Sequence, residues 1–186
     1  PNELQAAVDL AQQSDVALVF VGLNHYMESE GFDRKDFFLP QNQIDLIQKV
    51  SAVNPRTVVV LQTGSPVDLA WSTSVASLLQ AWYPGEEGSR AIIETLLGYS
   101  NPSGKLPMTF PKSLQDVPAM ADYPGQDKIV TYSEGMHLGY RGIKNYYYPF
   151  GFGLSYSKFE ISNVQIETPN STPQDTDVRV SVDIKN

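Results

Sequence analysis

The sequence predicts an α/β fold, a layered sandwich with a mostly parallel sheet, followed by a truncated all-β segment. Three observations carry this. Apolar runs at residues 16–21, 57–61 and 75–82 have the length and the β-branched content of buried strands. The segments between them place apolar residues at helical spacing. Such strands, separated by amphipathic helices, imply a sheet covered on both faces, because each crossover helix must hide one apolar stripe. Beyond Tyr156 the texture changes to alternation, the mark of half-buried strands.

Taken in order, Asn2 is placed to cap a short helix whose Leu4, Ala7, Val8 and Ala11 share a face, with an end near Gln13. The run Val16-Ala-Leu-Val-Phe-Val-Gly22 follows as the first strand. A helix from Gln41 to Ala52 sets Ile44, Ile47 and Val50 on one side and stops at Asn54-Pro55. Thr57-Val-Val-Val-Leu61 is the second strand. Gly64-Ser65-Pro66 turns the chain, with Pro66 suited to the first position of a helix. Pro84-Gly85 leads from the third apolar run into a helix from about Glu87 to Leu97.

From Gly98 to Tyr148, proline and glycine punctuation describes a wrapping or bridging segment. Phe159, Ile161, Val164 and Ile166, then Val178, Val180, Val182 and Ile184, open two strands of a β-sandwich that stops at Asn186. The chain is expected to be part of a longer protein. Its domains are expected at 1–156, an N-terminally incomplete α/β sandwich, and 157–186.

Composition narrows the function. An apolar fraction of 41% with 18% charged residues fits a chain that folds around a core. Thirteen basic against twenty-one acidic residues give a net charge of −8, without a basic cluster able to follow a phosphate backbone, so nucleic acid is not an expected partner. No apolar run reaches the roughly 18 to 20 residues of a membrane-spanning helix. The absence of cysteine excludes a thiolate nucleophile, a disulfide framework and a cysteine-based zinc site. A secreted or periplasmic setting is favoured over the cytoplasm. Asn170-Ser171-Thr172 matches a glycosylation acceptor and is followed by Pro173.

Chemistry concentrates in the loop Tyr26-Met-Glu28-Ser-Glu30-Gly-Phe-Asp33-Arg34, directly behind the first strand. Ligands in open α/β sheets collect outside the carboxyl ends of the strands, which makes this a candidate reaction site. Residue pattern alone favours a solvated connection over a reaction site. Glu30 is the catalytic candidate and Glu28 the internal competitor, with Glu28 and Trp82 as weaker substrate-binding candidates. Gly31 would permit a turn that aims Glu30 outward, and Asp33 and Arg34 would pair to brace the loop. Trp82-Tyr83 follows a buried strand and is placed to approach the cleft. His25 joins three carboxylates in the loop, yet a single loop rarely closes a coordination sphere, and no metal or other cofactor is expected.

Several stretches together resemble the C-terminal part of glycoside hydrolase family 3, the β-glucosidase and β-xylosidase family. They are Ser29-Glu-Gly-Phe-Asp-Arg34, Gln80-Ala-Trp-Tyr-Pro-Gly-Glu-Glu-Gly88, Asn101-Pro-Ser-Gly-Lys-Leu-Pro-Met-Thr-Phe-Pro111, Tyr132-Ser-Glu-Gly135 with Gly139-Tyr-Arg141, and Pro149-Phe-Gly-Phe-Gly-Leu-Ser-Tyr156. Their order and spacing carry the likeness over nearly the whole chain. The resemblance implies a retaining β-glycosidase acting on terminal non-reducing sugars, β-glucosidase first among them, with Glu30 as acid/base. It also implies an N-terminal (β/α)8 barrel with an aspartate nucleophile, a fibronectin type III-like domain from about residue 157, and a β-glycoside or oligosaccharide substrate. The chain alone would be inactive. Segment 142–148 departs from the family pattern as a variable-looking insert, as does Phe152 at a position where a polar residue is frequent.

Two alternatives belong to other classes. One is a sugar-binding or domain-interface module that lacks the chemistry. The other is a flavodoxin-like nucleotide binder, suggested by the strand and helix alternation and opposed by the lack of a phosphate-binding glycine loop.

Overall fold

The structure is a computed structural model that describes residues 3–172 and 174–186. Asn2, and with it the expected cap of the first helix, lies outside the described residues, as does Pro173. Helix α1 (Glu3–Gln12) leads into strand β1 (Ala17–Gly22), helix α2 (Gln41–Val53), strand β2 (Thr57–Gln62), strand β3 (Ser77–Gln80) and helix α3 (Gly88–Leu96). The three strands form one parallel sheet in the order β1-β2-β3. Residue Ala17 pairs with Thr57 and Gly22 with Gln62, so the strands end level with one another.

One face of the sheet carries the main core. Val19 and Val21 of β1 and Val59 and Leu61 of β2 pack with Ile47 and Val50 of α2, and Trp71 and Phe110 close the cluster. Each such side chain taken from water contributes about 1.5 to 3 kcal/mol. The helical periodicity of 41–52 therefore does what it predicts, because Ile47 and Val50 are both buried.

Coverage of the second face is incomplete, contrary to the expectation. Strand β2 is buried or half-buried throughout, whereas β1 alternates and leaves Leu18 46% and Phe20 50% exposed. An edge strand packs against fewer neighbours than a central one, so its apolar run is covered on one side only.

A buried polar side chain ties the carboxyl ends of α1 and α2 to the amino-terminal edge of the sheet. Asn54, 4% exposed, ends α2 and donates from Nδ2 to the carbonyls of Ala11 and Ser14, both at 2.9 Å. Its Oδ1 accepts the Arg56 amide at 2.9 Å. One side chain thus fixes the exit of α1 against the entry of β2.

Three further expectations change. No helix begins at Pro66. The chain runs extended there with Val67 and Leu69 buried, and a short 3-10 helix forms at Ala70–Ser74. The backbone amide of Asp68 donates to Phe37 at 2.8 Å and the Pro66 carbonyl accepts from Arg34, so the backbone has partners without a helix. Strand β3 is shorter than the apolar run that predicts it, because Trp82 takes a left-handed conformation at φ 54 and redirects the chain. The segment read as a variable insert ends in strand β5 (Tyr146–Tyr148), which pairs antiparallel with β4 (Phe110–Pro111).

Strands β6 (Glu160–Glu167) and β7 (Arg179–Lys185) form an antiparallel hairpin. A register shift between Ser162 and Gln165, with Asn163 at φ 54, absorbs the odd spacing from Ile161 to Val164. The apolar residues of both strands are exposed. At the nearby acceptor triplet, Asn170 Nδ2 donates to Asp177 at 2.8 Å. Among the described residues no helix is long and apolar enough to cross a membrane.

Candidate active site

The level carboxyl ends of the parallel strands bring three loops to one edge. The first leaves β1 at Gly22, where a Cβ would sit 2.2 Å from the Gln62 carbonyl oxygen, so only glycine permits this approach. Gln43 of α2 clasps the same residue, accepting its amide at 2.9 Å and donating to its carbonyl at 3.0 Å. Asn24 then turns the chain: its Oδ1 accepts the Tyr26 amide at 3.0 Å, and its carbonyl accepts the amides of Met27 and Glu28, both at 2.9 Å.

That turn delivers Glu28 inward. Its carboxylate accepts the Gly64 amide at 2.7 Å, the Tyr83 phenol at 2.6 Å and the Ser65 hydroxyl. The Arg34 guanidinium lies 3.7 Å away and also donates from Nη1 to the Ser65 hydroxyl at 2.8 Å and the Pro66 carbonyl at 3.2 Å. Both charged side chains are mostly shielded, at 15% exposure for Glu28 and 17% for Arg34. Arg34 Nη2 is buried with no partner among the described residues.

Electrostatics follow from these contacts. Burial pushes the Glu28 carboxyl up, but the bonds from Ser65, Tyr83 and Gly64 together with the Arg34 charge outweigh it, and the group is held below 4.5. The Tyr83 phenol is pushed up to about 12 by burial and by its bond to Glu28. Near neutrality Glu28 is therefore an ionised acceptor and Tyr83 a neutral donor.

Glu30 differs in every respect. It is exposed, and its carboxylate has no partner among the described residues. Gly31 stands at φ 92, a conformation that favours glycine, and the turn there leaves Glu30 facing outward. Asp33 and Arg34 do not pair with each other. Arg34 turns in toward Glu28 and Ser65, while Asp33 stays exposed beside the Tyr123 phenol, whose pKa its carboxylate pushes up.

Across residues 1–156 the chain matches the family described as the glycosyl hydrolase family 3 C-terminal domain. The chain belongs to this family. Similar curated proteins include a beta-glucosidase of Rhizobium radiobacter, 42% identical over 97% of this chain and 23% of its own length, and thermostable beta-glucosidase B of Acetivibrio thermocellus, 43% identical over 100% and 24%. Among solved structures, the beta-glucosidase of Kluyveromyces marxianus superposes with a TM-score of 0.89 at 37% identity, over 99% of this chain and 22% of that one. This family 3 chain thus spans about a quarter of the curated relatives it matches.

The family 3 fold distributes the other candidates differently. Trp82 packs its ring 6.0 Å from that of Phe110 and lines a cavity of about 590 Å³ with Leu106, Tyr148 and Phe152, which contains neither glutamate. Tyr83, turned the other way by the left-handed residue before it, is the aromatic of the pair that reaches the loop. His25 lies against Tyr26 with ring centroids 3.7 Å apart and planes tilted by 41°, while Glu28 is held by Tyr83 and Asp33 lies toward Tyr123. Sequence reading missed the convergence of Gly64, Ser65 and Tyr83 on Glu28. Gly64 held a clue in its glycine: a Cβ there would lie 2.8 Å from the Tyr83 ring and 3.2 Å from the Glu28 carboxylate.

Proposed function

We propose that this chain is the part of a retaining β-glucosidase that brings the acid/base glutamate, Glu30, to a cleft shared with a (β/α)8 barrel. One observation carries the choice of residue. Of two glutamates in the loop, Glu28 is consumed by four internal partners, while Glu30 is exposed and unpaired at the carboxyl edge of the sheet. Family membership and relatives named as beta-glucosidases support the reaction class.

In this reading the barrel contributes an aspartate that attacks the anomeric carbon of a terminal β-linked sugar. Glu30 donates its proton to the bridging oxygen as the bond between that oxygen and the anomeric carbon breaks. Its carboxylate then takes a proton from the water that attacks the glycosyl-aspartate ester, and the sugar leaves with its configuration retained. Two carboxyls about 5 to 5.5 Å apart suffice for this, and the steps use neither metal nor cofactor. Residues 1–156 form the sandwich domain that holds Glu30, and 157–186 open a fibronectin type III-like domain whose partner strands would cover the apolar residues of β6 and β7.

The test is Glu30→Ala in the whole enzyme. Loss of a positioned acid lowers kcat/KM on an unactivated disaccharide by about 10² to 10⁴. A dinitrophenyl glucoside, whose leaving group needs no proton, keeps its kcat/KM, and azide accelerates its turnover by replacing water at the second step. Undiminished hydrolysis of the disaccharide would refute the assignment.

A further inference from the structure

The loop that carries Glu30 is anchored on both sides of it. Upstream, Glu28 accepts bonds from Gly64 and Ser65, which follow β2, and from Tyr83, which follows β3. Downstream, Arg34 donates to the same Ser65 hydroxyl and to the Pro66 carbonyl. Residues 29–33 between them are exposed, and within the span the Ser29 hydroxyl donates to the Glu30 carbonyl at 3.3 Å.

The chemistry of the anchor asks for a carboxylate. Its neighbours are an N–H, two hydroxyls and a guanidinium, all able to donate at once. A carboxylate has acceptor sites for them, whereas an amide in its place would turn an NH2 toward another donor. Glu28 is aimed into this nest by the Asn24 turn rather than toward solvent.

We propose that Glu28 is a positioning residue, a fixed carboxylate that with Ser65, Tyr83 and Arg34 ties the 29–33 span to the ends of β2 and β3 and so sets where the proton of Glu30 is delivered. The inference rests on the reading of Glu30 as acid/base. Glu28 contributes by holding geometry and transfers no proton itself. Misplacing a reacting group by about 1 Å can cost about 10²-fold in rate, so the anchor matters only where proton delivery limits the reaction.

Kinetics of the whole enzyme on two substrates test this. Glu28→Ala is expected to lower kcat/KM on an unactivated disaccharide by roughly 10- to 100-fold while changing it less than about threefold on a dinitrophenyl glucoside. Tyr83→Phe and Ser65→Ala, which each remove one donor, shift the same ratio in the same direction by less, and they carry the test if Glu28→Ala does not fold. The double variant Glu28→Ala with Glu30→Ala is no slower on the disaccharide than Glu30→Ala alone, because Glu28 acts only through Glu30. Equal losses on both substrates, or losses that add in the double variant, overturn the positioning role and leave Glu30 standing. A Glu30→Ala enzyme without the leaving-group selectivity overturns the acid/base reading, and the positioning role falls with it.

Discussion

Replacing Asn54 by alanine tests how the sheet is held at the end remote from the site. The substitution removes three bonds: the partly buried Ser14 carbonyl and Arg56 amide are left without a partner among the described residues, and the buried Ala11 carbonyl keeps only the Ser14 amide at 3.2 Å. An unsatisfied buried group costs about 1 to 3 kcal/mol and a part-buried one less, because water reaches it. The sum is about 2 kcal/mol, a sizeable fraction of the 5 to 15 kcal/mol typical of a domain. Urea unfolding of the whole protein, followed by the fluorescence of the buried Trp71 in the adjoining core, reads the loss as a lower midpoint.

Asn54→Asp sharpens the result. Its carboxylate still accepts from Arg56 but faces two carbonyl oxygens, so near neutrality it is expected to destabilise more than alanine and to recover as acid protonates it. Activity per folded molecule should not change. The six residues of β2 separate Asn54 from the site by about 20 Å at 3.3 Å per residue. A stability loss below about 0.5 kcal/mol for Asn54→Ala would refute the accounting.

Two other outcomes follow from the loop itself. Gly31→Ala meets no atom within 4 Å, but φ 92 would cost an L residue about 1 to 2 kcal/mol, a strain that the exposed loop escapes by taking another turn that aims Glu30 elsewhere. Hydrolysis of an unactivated disaccharide should fall by up to about tenfold with little change in the urea midpoint, and an unchanged rate would show that the turn does not aim Glu30. The Glu28 carboxyl is held below its ordinary value of 4.5, so its contribution to stability is present above that pH and is lost as pH falls through the depressed folded value. The deficit of Glu28→Gln relative to the parent, measured by urea unfolding at several pH values, is expected to be full at neutrality and to shrink in acid. A deficit that grows in acid would contradict this sign.

Much of the architecture is local in origin and so was readable early. The i, i+3, i+6 spacing of Ile44, Ile47 and Val50 keeps them on one face of α2, and the unbroken run from Thr57 marks a strand buried on both sides. The element limits shifted where one residue took an uncommon conformation. Trp82 ends β3 early and Asn163 re-registers β6; a tryptophan gives no sign of a positive φ, and an asparagine, though enriched there, adopts it at only a minority of positions. The open back of β1 was also invisible, because an apolar run reads the same whether or not a second layer covers it.

By itself the sequence determined the alternation of strand and helix, the place of the acidic loop behind the first strand, and the family, since each rests on residues that are neighbours along the chain or on motifs in fixed order. Only the tertiary structure decided which glutamate is free. The partners that immobilise Glu28 stand 37 and 55 positions away, at Ser65 and Tyr83, and meet it only because parallel strands of matching register finish at one edge. A carboxylate's role depends on what surrounds it in space, and that is set by packing rather than by the identity of the residues beside it in the chain.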